Sequence, residues 1–294
     1  MANESTTTTI TGIITTSYIA RTLLNYAIDP FVAFSRLRME PVTGQGTKTA
    51  AFAVPTKDTA LSAIITEATG LTATAMDFAN TTVAVAEVGI LRQVTKLARR
   101  TNILGESGLY QFLIEDGGRM CMEKHETDAW AQWDNASTVA GLSGQALTLS
   151  NLAAAISQRA INKAKGNAVF FLTTTQTSNM RSAVLSTDAT AFASGSANEL
   201  LHVTQDDGYV GRFFGVPIFT NTLAATSGVD KVGVLMTDGE MSPANAATGC
   251  AMGWMPEPES VNTPELPGYK VAITMAYGLG EINDYQYTKL VTIA

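Results

Sequence analysis

The sequence has little of the chemistry on which most enzymes and metal proteins depend. Its 294 residues include only two cysteines, Cys121 and Cys250, and only two histidines, His125 and His202. The cysteines are far apart and lie in no motif, so neither a disulfide framework nor a cysteine-type zinc site is supported. A histidine-based metal site or a Ser-His-Asp triad would have to be built around one histidine.

Nucleotide-binding and hydrolase motifs are also missing. Ser107 and Ser143 each lie in a G-x-S-G sequence, which is not the G-x-S-x-G of a nucleophile elbow. Residues 44–49, GQGTKT, carry glycines and a Lys-Thr pair in the wrong order for a P-loop. We therefore predict no catalytic residue, no cofactor and no metal ligand, although an enzyme built from scattered carboxylates stays open as an alternative.

Charge is scarce as well. Only 15% of the residues are charged, whereas an ordinary soluble domain carries roughly 25%, and the net charge is −7. A surface with so few charges suits a protein whose surface is largely covered by neighbouring subunits. The adjacent pair Arg99-Arg100, with Lys96 and Arg92 before it, is interpreted as a solvated strand end. Because tight phosphate binding needs clustered cations, the chain is not expected to bind nucleic acid by sequence.

Long apolar runs are missing too. The N-terminal residues MANESTTTTITGIITT contain no basic region followed by an apolar stretch, so we expect no secretory signal. No segment reaches the roughly 18 apolar residues of a membrane span, so no membrane partner is expected.

The first hundred residues are instead rich in threonine and in β-forming side chains. Residues 1–20 predict an extended or partly disordered arm, and 17–34 a helix that ends at Asp29-Pro30. Residues 47–55 predict a strand, and 82–98 contain its return strand, with the long connection 57–70 between them. We expect this hairpin to protrude and to offer strand edges to neighbours.

Residues 106–135 predict a long helix with Gly117-Gly118 in its middle, where we expect a bend or a close backbone contact. Trp130 and Trp133 are interpreted as core or interface anchors. His125 lies beside three acidic residues, which is more typical of a solvated charged face than of a metal site.

The second half of the chain mixes helices and strands without regular βαβ alternation, which predicts an α+β fold. Glu257 and Glu259 are expected in a solvated, proline-rich loop. Further helices are expected at 151–164, capped by Ser150, and at 175–185. Strands are expected at 167–173, 211–221, 232–239, 269–278 and 285–293.

The order of these elements resembles the Hong Kong 97-type capsid fold of tailed-bacteriophage major capsid proteins. Residues 86–130 look like that family's hairpin return strand followed by its long spine helix. Residues 211–221, GRFFGVPIFTN, are similar to its G-x-x-x-G-x-P-[IV] strand. The resemblance implies an N-arm (1–45), an extended loop or E-loop (46–82), a peripheral (P) domain (83–164 and 255–294) and an axial (A) domain (165–254).

The resemblance also implies a structural function without an active site. The chain would self-assemble as hexamers and pentamers into the icosahedral or elongated head shell of the virion, in the host bacterial cytoplasm. It would enclose phage double-stranded DNA and meet a portal protein and, where present, separate scaffolding or decoration proteins. Candidate self-assembly contacts lie in the loop and the arm: Lys57, Asp58, Ile64, Ile65, Glu67, Arg21 and Tyr26.

Three other functions stay open at the level of sequence. An encapsulin-like nanocompartment shell would share the fold but hold a cargo enzyme. An α+β enzyme or binding protein without a recognised motif would be a stable monomer with a pocket. Another phage structural protein, such as a tail-tube subunit, would form rings or tubes.

Overall fold

The computed structural model describes most of the chain: residues 31–44, 46–55, 78–101, 105–141, 143–186, 208–223, 226–227, 230–263 and 268–293. Its helices are Lys96–Thr101 (α1), Gly105–Trp133 (α2), Leu149–Ile161 (α3) and Thr174–Ser186 (α4). Its strands are Arg38–Pro41 (β1), Thr49–Pro55 (β2), Phe78–Ala84 (β3), Ala86–Thr95 (β4), Val139–Ala140 (β5), Ala168–Thr173 (β6), Tyr209–Phe213 (β7), Val216–Asn221 (β8), Thr226–Ser227 (β9), Asp230–Thr237 (β10), Thr248–Thr263 (β11), Gly268–Glu281 (β12) and Tyr287–Ile293 (β13).

The first sheet has the order β1-β11-β12-β4 and carries the long helix α2 on one face. Alternate residues of β12 point to that helix, because side chains alternate between the faces of a strand. These residues are all buried: Tyr269, Val271, Ile273, Met275 and Tyr277.

The second sheet has the order β5-β13-β10-β6-β8-β7, with β9 paired to β10. Its strand β6 is covered on both faces. Phe171 packs with Trp130 and Trp133 of α2, whereas Phe170 belongs to the cluster that packs under α3 and α4. One apolar strand therefore separates two cores and joins α2 to the second sheet.

Helix α2 has 29 residues, which corresponds to roughly 43 Å. A methyl group added at Gly117 would lie 2.5 Å from Cδ1 of Ile273, so glycine allows β12 to approach the helix backbone. The expected close contact in the middle of the helix is confirmed at Gly117. Trp130 and Trp133 are also confirmed as core anchors, each 1% exposed.

Two predicted single strands are wrong because the chain turns inside them. The segment 82–98 contains the end of β3, which pairs with β2, and then β4, which pairs with β12 in another sheet. The segment 211–221 is a hairpin of β7 and β8. Its turn residues Phe214 and Gly215 have φ values of 48° and 79°, a backbone that glycine adopts freely and that a strand excludes.

Other local predictions need correction. The expected loop around Glu257 and Glu259 is part of β11, although both side chains are exposed as expected. Helix α3 is capped by Thr148 rather than Ser150, because the Thr148 side chain accepts from the Asn151 amide at 3.2 Å. Residues 96–101 form α1 instead of a strand end.

Candidate assembly surfaces

The candidate contact residues lie outside the described part of the chain. Lys57, Asp58, Ile64, Ile65 and Glu67 fall between β2 and β3, while Arg21 and Tyr26 precede residue 31. The structure does describe the two places where those segments join the body: the base of the β2–β3 hairpin and residues 31–37.

The hairpin base is held by packing against glycines of the first sheet. Phe52 of β2 is fully buried, and an added methyl group at Gly249 would lie 2.7 Å from its ring. At Gly278 the same group would lie 2.0 Å from the carbonyl oxygen of Ala84. A side chain at either position would push the hairpin away, so these glycines let it lie flat on the sheet.

The start of the body is held by Glu126, which is 0% exposed in the middle of α2. The backbone amide of Ala33 donates to both carboxylate oxygens at 3.0 Å. Trp130 Nε1 and Asn221 Nδ2 donate to Oε1 at 3.2 and 3.1 Å. Burial raises the pKa of Glu126 to about 6, and these hydrogen bonds oppose that rise.

His125 is also fully buried, next to Glu126. Its ring packs between Phe34 and Tyr277, at centroid distances of 5.2 and 4.7 Å. Burial lowers the pKa of His125 to about 4, against the opposing charge of Asp128. The predicted solvated charged face is therefore wrong for these two residues, which clamp the 33–34 backbone to α2.

A second clamp lies a few residues later. The Arg36 guanidinium is 2.8 Å from Asp238 Oδ2 and lies 4.9 Å from the centre of the Phe219 ring. The amide of Gly239 donates to the Arg36 carbonyl at 2.8 Å, and a methyl group at Gly239 would lie 2.4 Å from the Arg38 nitrogen. Together with Glu126, this clamp fixes residues 33–38 to both sheets.

The sequence does not indicate these clamps in advance. Their only local signal is Trp130 four residues after Glu126, which places the two side chains on one side of a helix. The remaining partners, Ala33 and Asn221, are more than 90 positions away in the chain.

The buried polar groups do not form an activated catalytic centre. His125 Nε2 lies 3.6 Å from the Cys250 sulfur, but burial raises the pKa of that thiol to about 12. A thiol with that pKa is protonated at neutral pH and is a poor nucleophile. Within the ranges that the structure describes, no three His, Cys, Asp or Glu side chains form a metal-binding group. His202 lies outside those ranges.

The described surface carries several large exposed apolar side chains. Side chains of this kind can serve as contacts when they lie at an interface. They are Met39, Leu91, Leu97, Val139, Ile161, Phe214, Met241, Trp254, Met255, Val261 and Tyr285. No helix in the described ranges is long and apolar enough to cross a bilayer.

The fold is similar to that of solved phage structures and of an encapsulin. A chain from Mycobacterium phage Che8 matches with a TM-score of 0.69 and 14% identity, covering 94% of this chain and 96% of that one. The capsid structure of cyanophage P-SCSP1u matches with a TM-score of 0.68 and 14% identity, covering 95% and 93%. The holo-SrpI encapsulin complex of Synechococcus elongatus PCC 7942 matches with a TM-score of 0.66 and 11% identity, covering 97% and 94%.

No protein-family model and no curated protein sequence matches the chain. The structural matches show that it has the fold of tailed-phage major capsid proteins. The expected mixed helix-and-sheet capsid fold is thereby confirmed, whereas the predicted boundaries of arm, loop, P domain and A domain stay predictions.

Proposed function

We propose that this protein is the major capsid protein of a tailed phage, a structural subunit that self-assembles into the head shell around double-stranded DNA. The observation that carries the proposal is the fold, shared along almost the whole chain with capsid chains. The matches cover 95% and 100% of this chain, and 93% and 100% of the two capsid chains.

The way in which two segments leave the body supports this proposal. A shell subunit uses one surface in several slightly different contacts, so it needs adaptable segments on a rigid body. Glu126 and Arg36 fix the chain at residues 33–36, and Phe52 fixes the hairpin base. Residues 33–36 and the hairpin base therefore offer firmly held attachment points for the proposed N-arm (1–45) and E-loop (46–82).

We extend the proposal to the domain layout. The P domain would contain the first sheet and α2, and the A domain most of the second sheet. Strand β13 lies in the predicted P-domain range but pairs with β10 of the second sheet. The boundary between the two proposed domains would therefore fall inside the range 255–294. Lys57, Asp58, Ile64, Ile65, Glu67, Arg21 and Tyr26 remain proposed contacts between copies in hexamers and pentamers.

The charge distribution of the chain is compatible with enclosing DNA without binding it tightly. The net charge is −7, and Arg36, Arg38, Arg92 and Arg119 are each paired with a carboxylate of the same chain. Cations engaged in this way are poorly placed to release counterions from phosphates. The shell would then act as a container in the virion, with a portal protein as a further proposed partner.

Deleting residues 57–70 and closing the gap with a short Gly-Ser linker tests the proposal. We expect a folded subunit, because the described packing of the hairpin base involves residues outside the deletion, but no stable shells. A matched variant that replaces the same residues by a Gly-Ser segment of equal length separates the loss of contacts from the shortening. Normal shells from the deletion variant would contradict the proposed role of the loop.

The contents of native particles distinguish the phage shell from a nanocompartment of the same fold. Nuclease-protected double-stranded DNA in particles that contain this chain supports the phage shell. Particles that hold an enzyme and no DNA would favour the nanocompartment instead.

A further inference from the structure

The first sheet ends in two edges that no strand of the described chain covers. Strand β11 pairs with β1 only over residues 249–252, so its outer side is open from Trp254 onwards. At the opposite edge, β4 pairs with β12 alone. Since only β12 lies between them, the two open edges are about 10 Å apart and face in opposite directions.

The β11 edge is built for side-chain contacts rather than for an added strand. Pro256 and Pro258 remove two backbone donors from the strand, which blunts it against strand addition. Around them, Trp254, Met255 and Val261 are 36%, 47% and 63% exposed. The surface also carries two exposed carboxylates, those of Glu257 and Glu259. We call these five side chains the acidic edge.

The other edge has the opposite charge and a similar apolar content. Where β4 passes into α1, the side chains of Lys96 and Arg100 are exposed. Leu91 of β4 and Leu97 of α1 are 59% and 63% exposed. We call these four side chains the basic edge.

None of the four charged side chains of these edges takes part in an ion pair between residues that the structure describes. Every carboxylate and cation in the ion pairs of the described ranges lies elsewhere: Arg36, Arg38, Glu40, Arg92, Asp116, Arg119, Glu123, Lys124, Asp128, Asp134, Asp238, Glu240 and Lys289. Lys270, opposite Val261 on β12, is the nearest cross-strand cation to the acidic edge.

We propose that the acidic edge of one copy docks on the basic edge of a second copy, with Glu257 and Glu259 facing Lys96 and Arg100. Opposite charges on two edges that each expose apolar side chains are complementary, and charge complementarity selects the partner and its orientation. The inference rests on the proposed shell function and names the surfaces that join its subunits.

This contact joins two different surfaces, so it runs head to tail. A head-to-tail contact closes into a ring when its rotation permits, and the same surfaces can serve rings of different size. Rings of five and six copies are the units from which the proposed shell is built.

Charge reversal tests the pairing. Glu257→Lys with Glu259→Lys makes both edges basic, and Lys96→Glu with Arg100→Glu makes both acidic. We expect each double variant to raise the critical concentration for assembly by at least about tenfold, because like charges then face each other. The fourfold variant restores opposite charges and is expected to assemble within about threefold of wild type.

An equimolar mixture of the two double variants gives a sharper result. Each can contact only the other, so copies must alternate, and alternation closes only rings with an even number of subunits. Six-membered rings without five-membered rings are therefore expected by electron microscopy. The control matched to the basic-edge variant is Lys163→Glu with Lys165→Glu, which changes net charge by the same amount and sign at exposed residues outside both edges and is expected to assemble normally.

The outcomes separate this inference from the proposal on which it rests. Wild-type shells together with unimpaired assembly of both double variants would overturn the pairing alone. The pairing alone would also be overturned if the double variants do not assemble although circular dichroism shows them folded, and neither the fourfold change nor mixing restores assembly. A wild-type protein that forms no shells would overturn the shell function and this contact together.

Discussion

At the scale of single residues, the unexpected feature is that two neighbouring ionisable side chains of α2 are buried. Glu123 and Asp128 remain partly exposed and take part in ion pairs, whereas His125 and Glu126 are fully buried. The carboxylate is tolerated there because backbone and side-chain N–H groups donate to it. The imidazole is tolerated because its lowered pKa keeps it neutral.

These two groups have opposite effects on stability as pH changes. His125 has a folded-state pKa of about 4 against an ordinary 6.5. The unfolded chain binds more protons between these values, so this group makes stability rise with pH. Glu126 has a folded-state pKa of about 6 against 4.5. Here the folded chain binds more protons, so this group makes stability fall as pH rises from 4.5 to 6.

Replacing His125 by phenylalanine removes the contribution of His125 to the pH dependence of stability and leaves that of Glu126. We compare the free energy of unfolding of His125→Phe with that of wild type at the same pH. We expect this difference to favour the variant by about 3 kcal/mol more at pH 4 than at pH 6.5. Urea unfolding of the unassembled subunit at both pH values measures this difference. An equal offset between the two proteins at both values would show that His125 does not titrate in this range.

At the scale of elements, Gly117 and Gly118 are adjacent in α2 but differ in their surroundings. A methyl group at Gly117 would meet the buried side chain of Ile273, whereas at Gly118 its nearest neighbour would be Pro256 at 3.9 Å. Alanine is the better helix former by about 1 kcal/mol. The two glycines therefore form a matched pair in which packing opposes helix propensity at one position only.

We expect Gly118→Ala to stabilise the subunit by roughly 1 kcal/mol. Gly117→Ala should destabilise it by about 1–2 kcal/mol, because the added methyl group would overlap the buried side chain of Ile273. Chemical denaturation of both variants beside wild type provides the measurement. If Gly117→Ala were as stabilising as its neighbour, the close packing of α2 on β12 would be disproved.

The elements that were predicted correctly are those with a strong local pattern. Helix α2 and the apolar strand β6 can be read from their own residues. Strand β1 could not, because its partner residues 249–252 lie more than two hundred positions away. The prolines of β11 suggest a loop by composition, and only an open sheet edge makes them compatible with a strand.

At the scale of the whole molecule, the predicted order of elements was sufficient for the fold but not for the contacts. The order of arm, hairpin, long helix and mixed second half is visible in the sequence, and the fold it suggested is confirmed. The clamps at Glu126 and Arg36 join residues far apart in the chain. Local spacing carries no information about such partners.

The arrangement of the whole molecule also accounts for its low proportion of charged residues. Two cores share strand β6, which gives a rigid body, while exposed apolar side chains and two oppositely charged sheet edges remain on its surface. A monomer in solution gains nothing from this arrangement. In a shell, weak contacts of this kind are repeated around every subunit, and their energies add.

Negative-stain electron microscopy of the full-length protein expressed alone, combined with sedimentation velocity, tests the shell assignment most directly. We expect closed polyhedral shells, or rings of five and six subunits that grow into shells as concentration rises. A species that sediments as a folded monomer at every concentration, with no rings or shells on the grid, would contradict that assignment.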